Sequence, residues 1–342
     1  MTNKHFTQLI IISFLISGTL LFPSLVHALE DPYQQALVRL NDKDPGVRRQ
    51  AAEQLGSLRN PDAVNDLLNL LSDKITYVRR AAIDSLGLLR SRAASRSIAS
   101  ILETDNDPQV RQTAAIALGY ISDPSTIPSL IKGMKDPHEG TRYACINSIG
   151  ILRDSVATEA LIKELKNTDS RVRTACAYAL GNIKDIKAVP ELIQALKISR
   201  STATENIQYY DAATAATIVR TLGLIPDPSS IAALKPFLKD KDKKVRLNTA
   251  LALSKLKDGS GAAVARQHIS DSDIMVRQIA AEILGEQGDA EDLKLLKTMQ
   301  TDGDVAVQRV ATQYYNKLFN RISPPPIEKP TNKKQSEKKS SQ

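Results

Sequence analysis

The stretch DPQVRQTAAIALGYI, residues 107–121, decides how the rest of this 342-residue chain is read. Counting Val110 as position 0, Val110, Ala114, Leu118 and Ile121 fall at positions 0, 4, 8 and 11. They form one small or apolar stripe of a 3.6-residue helix. Asp107, three residues before the valine, stands where a carboxylate caps the free N–H groups of the first turn and favours the helix dipole. Pro108 follows at the first helical position, where a missing N–H costs nothing.

The stretch recurs. Val-Arg pairs stand at Val47-Arg48, Val78-Arg79, Val110-Arg111, Val172-Arg173, Val245-Arg246 and Val276-Arg277. Nine residues after each valine come Gly56, Gly87, Gly119, Gly181, Ser254 and Gly285. Weaker copies start at Thr141-Arg142, Thr214-Ala215 and Val307-Gln308. The step is 31 or 32 residues, except for 42 between Gly181 and Gly223. Capping aspartates are expected at Asp44, Asp107, Asp169, Asp211, Asp242, Asp273 and Asp304, whereas Ile75 and His138 break the pattern. Each copy, a B helix, is preceded by a second amphipathic stretch, an A helix. Asn60-Pro61, Asp123-Pro124 and Asp227-Pro228 are cap-plus-proline starts for three of these.

A pair of about 30 residues cannot bury its stripe alone, but stacked pairs can. The expected fold is therefore all-α: an α-solenoid of about nine helical hairpins forming a curved superhelix over residues 29–320, in one elongated domain. D-x-x-V-R-x-x-A-A-x-x-L-G followed by a shorter helix resembles HEAT repeats, most of all the short, phycobilisome-lyase-like subtype. That resemblance implies an armadillo-like helical scaffold. It also admits two enzyme types, bilin lyases and the di-iron deoxyhypusine hydroxylases.

The two ends differ from the middle. Lys4, the apolar run Leu9 to Phe22, Pro23 and Val26-His27-Ala28 read as a signal peptide cleaved after Ala28. The run of about 14 apolar residues falls short of the roughly 20 that span a bilayer. Export to a periplasm or to the outside is expected. Residues 321–342, with Pro324-Pro325-Pro326 and five lysines, are expected to be a disordered tail. The net charge of +8 invites a nucleic-acid reading. The tail carries +4 of it, Lys4 one more, and the repeats only +3, so no nucleic-acid partner is expected.

Two cysteines exclude a disulfide framework. Cys145 and Cys176 both occupy position 4, a core position, and are expected to be buried small residues. His5 and His27 leave with the signal, which leaves His138 and His268. The hydroxylases hold their irons with several His-Glu pairs, and His138-Glu139 is the one pair here. No metal, cofactor or catalytic residue is expected, and His138 is expected to start a helix.

Arg48, Arg79, Arg111, Arg142, Arg173, Arg246 and Arg277 fall at one repeat position. They could form an anion ladder. The structural alternative is preferred: Asp44, Asp107, Asp169, Asp242 and Asp273 lie four residues earlier on the same face, with further aspartates in the next repeat, suited to bidentate pairs.

Positions 2 and 6 of the B helices point away from the stripe, with position 10 on the flank. At the chain's ends these positions are charged or polar, as in Arg49, Glu53, Arg80, Asp84, Gln278, Glu282, Arg309 and Gln313. In the middle they read Ile116, Tyr120, Tyr143, Asn147, Ile151, Tyr178, Asn182, Leu224, Leu247 and Leu251. In such solenoids B helices line the concave surface, so a protein- or peptide-binding groove is expected here. The 42-residue step places an insert within residues 197–211 beside it, adding Arg200, Tyr209, Tyr210 and Arg220 as candidate contacts, with Tyr143, Tyr178 and Tyr209 as anchors. The expected function is an exported, non-catalytic protein-binding scaffold. Its rivals are an enzyme of the lyase or hydroxylase kind, and a tether to an anionic envelope polymer or lipid through the basic tail.

Overall fold

The computed structural model describes residues 31–199 and 211–323. The expected signal segment, insert residues 200–210 and residues 324–342 lie outside them. The chain forms two compact units, Met1–Ala157 and Thr158–Gln342. Among the described residues both are built from helices and turns alone.

The first unit holds four A/B pairs: α1 (Pro32–Arg39) and α2 (Pro45–Leu58), α3 (Val64–Asn69) and α4 (Thr76–Leu88), α5 (Ser95–Thr104) and α6 (Pro108–Ile121), α7 (Ile127–Gly133) and α8 (Glu139–Leu152). The B helices α2, α4, α6 and α8 pack in sequence, each also carrying its own A helix. The second unit holds five pairs: α9 (Thr158–Glu164) and α10 (Ser170–Ile183), α11 (Val189–Ser199) and α12 (Ala212–Leu224), α13 (Ser230–Leu234) and α14 (Lys243–Lys255), α15 (Ala262–Arg266) and α16 (Ile274–Gln287), α17 (Asp292–Met299) and α18 (Val305–Ile322). Its B helices α10, α12, α14, α16 and α18 stack in the same way. The fold is the all-α solenoid of stacked hairpins. Helix α18 runs to Ile322, two residues into the stretch expected to be tail.

Local chemistry sets the helix starts. Asp44, Asp107, Asp169, Asp211, Asp242, Asp273 and Asp304 each accept a backbone N–H from the first turn of their B helix. His138 does the same with a ring nitrogen: Nδ1 accepts from the Thr141 amide at 3.2 Å. Ile75 has no side-chain cap, and Asp73 just upstream accepts its N–H at 2.9 Å. Several A helices open with a 3-10 turn, such as Pro61–Ala63 after Asn60 and Pro124–Thr126 after Asp123.

The B helices approach closely at position 9. A Cβ on Gly56 would lie 2.8 Å from the Ser85 Cα, and one on Gly223 would lie 2.5 Å from the Ala252 Cα. The residue opposite, at position 7 of the next B helix, is small in both cases. Where it carries a hydroxyl, that group donates back across the gap. Ser85 bonds the Ala52 carbonyl (2.8 Å), Ser148 the Ala115 carbonyl (2.7 Å) and Thr221 the Ala177 carbonyl (2.8 Å). Those bonds satisfy hydroxyls that would be costly to bury unpaired.

The arginine ladder ties each repeat to the next. The Arg48 guanidinium forks onto Asp73 (2.7 and 3.0 Å), Arg79 onto Asp105 (2.8 and 2.9 Å), Arg111 onto Asp136 (2.7 and 2.9 Å) and Arg277 onto Asp302 (2.8 and 2.8 Å). The remaining nitrogen of each donates to carbonyls five and six residues upstream, for Arg111 those of Asn106 and Asp105. One planar group with five donors thus fastens its own A-to-B loop and the next repeat at once.

The partner differs from the one expected. Asp44, Asp107, Asp169, Asp242 and Asp273 have their carboxylates engaged by helix amides. The acceptor in the ion pair is instead the aspartate two residues before the next cap. Arg173 is an exception and bonds the cap Asp211 at 2.8 Å. Arg142 and Arg246 donate to carbonyls but make no ion pair among the described residues. Asp271, at the acceptor place after Arg246, is taken by Lys243 (3.0 Å).

Two outcomes follow for stability. Gly223→Ala should cost about 1–3 kcal/mol by overpacking, despite alanine's better helix propensity. Gly303→Ala, with open space around it, should be nearly neutral in the same urea titration. For Asp73 and Asp136, burial alone would raise the carboxyl. Hydrogen bonds from Arg48 and Arg111, and from the amides of Ile75 and His138, outweigh it and hold both below their ordinary value. Groups that titrate lower when folded stabilise fully above the ordinary carboxylate pKa of about 4 and lose that contribution as the pH falls through their folded values. The urea midpoint should therefore hold from pH 7 to 5 and fall below pH 4. Asp136→Asn should cost about 1 kcal/mol at pH 7 and weaken the acid dependence.

Candidate protein-binding face

Positions 2, 6 and 10 of the B helices take different characters along the first unit. On α2, Arg49 and Glu53 pair with each other at 3.0 Å. On α4, Arg80 reaches across to the Thr113 hydroxyl at 3.3 Å. On α6, Ile116 and Tyr120 are 40% and 55% exposed, and on α8 Ile151 is 53% exposed. Asn147 is exposed beside them, whereas Tyr143 is half-buried. Leu88 on α4 is 53% exposed at position 10, the register of Tyr120 and Ile151. It belongs to the same row on three successively packed helices. The signal for it was the register itself, read one repeat too late.

In the second unit, Tyr178 on α10 is 52% exposed and Arg220 on α12 is exposed, while Asn182 and Leu224 are half-buried. Leu247 and Leu251 on α14, expected on the outward face, are buried. They belong to a cluster with Val276, Ala280, Ile283 and Leu284 of α16, against which Leu238 and Ile279 also pack. Tucking under neighbouring apolar side chains removes both leucines from any binding surface. Further along, the equivalent positions are closed by ion pairs: Lys255 with Glu282 (3.1 Å), Lys257 with Glu286 (3.7 Å) and Lys317 with Glu286. Arg200, Tyr209 and Tyr210 lie outside the described residues.

The other candidates resolve into packing roles. Cys145 and Cys176 are free and fully buried. Burial, with Asp136 adding to it, pushes the Cys145 thiol up to about 12, and burial with Glu164 raises that of Cys176 further. Neither thiol is a nucleophile near neutral pH. His138 serves as a helix cap. His268 is buried, its Nδ1 at 3.3 Å from Asp271. Among the described residues, no group of three or more His, Cys, Asp or Glu is placed to hold a metal ion. No described helix is long and apolar enough to cross a membrane.

The family model for HEAT repeats matches residues 33–106, 95–167 and 205–265. That for the PBS lyase HEAT-like repeat matches residues 172–197. No curated protein matches the sequence significantly. Among solved structures, the chain is similar to YibA of Escherichia coli, at 19% identity over 88% of this chain and 98% of that one, with a TM-score of 0.47. It is also similar to the CpcE–CpcF complex of phycocyanin lyase from Nostoc sp. PCC7120, at 23% identity over 78% and 97%, with a TM-score of 0.40. Human deoxyhypusine hydroxylase in complex with glycerol is a third, at 20% identity over 78% and 99%, with a TM-score of 0.34. With its repeats matched over more than half of its length, the chain belongs to the HEAT-repeat family.

Proposed function

We propose that this chain is an exported, non-catalytic scaffold that binds a protein or peptide partner on its B-helix faces. The observation that supports this best is the run of exposed Leu88, Ile116, Tyr120 and Ile151 on α4, α6 and α8. Scattered single apolar residues on a surface need no explanation, but a contiguous row over packed helices does. Tyrosine and isoleucine there have the apolar bulk that interface cores use, with a polar tip on the tyrosine. Tyr178 and Arg220 are candidate contacts within the second unit.

Export rests on the N-terminal segment alone: a lysine, a short apolar run, a proline and a small-x-small site. Intact-mass measurement of the chain recovered from the cell envelope should show a protein beginning at Leu29. A chain that keeps residues 1–28 would count against cleavage.

A photo-crosslinking residue at Tyr120 should capture a discrete partner from envelope extract. The same crosslinker at exposed Arg96, on the A helix α5, should not. Adding Ile116→Ser and Ile151→Ser should reduce the Tyr120 adduct at least fivefold while leaving the circular dichroism spectrum unchanged. An adduct indifferent to both substitutions would sink the binding face.

A further inference from the structure

The B helices of the first unit share a feature at their C-terminal ends. Each carries an exposed apolar side chain in its last two residues: Leu58 on α2, Leu88 on α4, Tyr120 on α6 and Ile151 on α8. Just past each end, one residue takes a left-handed conformation: Arg59 (φ 52°), Arg90 (49°), Ser122 (55°) and Arg153 (55°). Glycine is the usual occupant of that place, because a Cβ there meets the neighbouring carbonyl. Among the described residues no glycine has positive φ at all. Three of these four strained positions hold an arginine instead.

A cation near a helix C-terminus complements the dipole. That alone does not explain the placement, because the last turns of α2, α4, α6 and α8 contain no basic residue. A lysine or arginine one turn earlier would serve the dipole without backbone strain. Arg59, Arg90 and Arg153 are exposed, and their guanidinium groups make no ion pair or hydrogen bond among the described residues. In the second unit two lysines hold the same left-handed position: Lys184 after α10, exposed, and Lys257 after α14, which pairs with Glu286. The rim of the first unit therefore presents a row of apolar side chains with unneutralised cations beside it.

Spacing narrows what can lie along this rim. Packed helices stand about 8–10 Å apart, so Leu88, Tyr120 and Ile151 repeat at about that interval. A polyproline II chain advances about 9 Å in three residues and, with three residues per turn, returns every third side chain to one face, whereas a β-strand turns it to the opposite face. An amphipathic helix also repeats at such a distance, but it brings a broad stripe of three to four apolar residues per two turns. The rim offers one per helix, which suits a chain lying flat with single side chains pointing down.

We propose that this rim docks an acidic segment of a partner protein in the polyproline II conformation. An apolar side chain at every third residue would sit on Leu88, Tyr120 and Ile151, and the intervening carboxylates would face Arg59, Arg90 and Arg153. This rests on the scaffold reading and names the chemistry of its partner.

The test uses the full chain and fluorescent twelve-residue peptides, read by anisotropy. The probe is Leu-Asp-Glu repeated four times. The comparisons are a peptide of the same composition with leucines at helical spacing, a Leu-Lys-Arg repeat, and phosphatidylglycerol vesicles. The Leu-Asp-Glu peptide should bind at least fivefold tighter than the helical-spacing peptide, and the basic peptide should not bind. Binding should weaken as salt rises. The triple variant Arg59→Gly, Arg90→Gly, Arg153→Gly should lose at least tenfold in affinity while melting at the same temperature or higher, since glycine relieves the left-handed strain. That combination separates lost recognition from lost folding. Leu88→Ser with Ile151→Ser should weaken binding by a similar factor. Equal binding of both acidic peptides, or full binding by the glycine variant, overturns the proposal. Vesicle binding that depends on the three arginines, without peptide binding, overturns it in favour of a lipid surface. If a crosslink from Tyr120 captures a partner while the peptide fails to bind, the scaffold reading stands and this one falls. If neither occurs, both fall.

Discussion

The close approach of neighbouring B helices at position 9 is the constraint on which the stacking depends. A helical hairpin of this length leaves one apolar face uncovered, and the next hairpin covers it only if the backbones come near enough for alanine, valine and leucine to interlock. Gly56 and Gly223 permit that distance because the atoms a Cβ would meet include the Cα of Ser85 and of Ala252, which cannot swing aside. The serine and threonine hydroxyls at position 7 then turn proximity into hydrogen bonds between consecutive helices. The Arg-to-Asp forks act on the same neighbour-to-neighbour step from the other end of the helix. Packing, buried hydroxyls and ion pairs all operate between adjacent repeats.

This locality explains what was legible in the sequence. A period of 31 or 32 residues, a stripe at positions 0, 4, 8 and 11, and an aspartate three residues before it are short-range patterns. They translate directly into helices, caps and stacking order. The partner of the ladder arginine was less legible, because two aspartates stand near each helix start and only geometry assigns them. Asp107 faces the amides of its own helix, whereas Asp105 faces the guanidinium of the repeat before. Leu247 and Leu251 show the limit of helical-wheel reasoning: position 2 or 6 is outward only if the neighbouring helix does not reach over it. The basic rim was missed for another reason. Arg59, Arg90 and Arg153 lie one residue beyond the periodic part of each repeat, where a glycine would have announced the turn and an arginine does not.

The two units handle the same surface in different ways. In the second, Lys255, Glu282, Lys257, Glu286 and Lys317 satisfy one another across successive helices. In the first, the corresponding row is Leu88, Tyr120 and Ile151, with charges nearby that find no internal counterpart. A surface whose charges are already paired gains little from a new partner, since an incoming group must displace an existing one. The contrast leaves the first unit's row without internal partners and closes the α14–α18 part of the second, although both are made of the same repeat.

The position 9 contact also sets a grammar for which repeats can follow one another. A hairpin with glycine at that position accepts a successor with serine, alanine or threonine at position 7, as Gly56, Gly87 and Gly119 do with Ser85, Ala117 and Ser148. Gly285 is followed instead by Tyr314, whose ring occupies the space a small residue fills elsewhere. Helix α18 in turn carries Asn316 where a glycine would stand. A tandem duplication of an internal hairpin preserves each junction and can lengthen the array. Glycine is not required at every junction: Ser254 of α14 is followed by Ile283 of α16 and the two helices still pack, so that junction is where the array tolerates a looser fit.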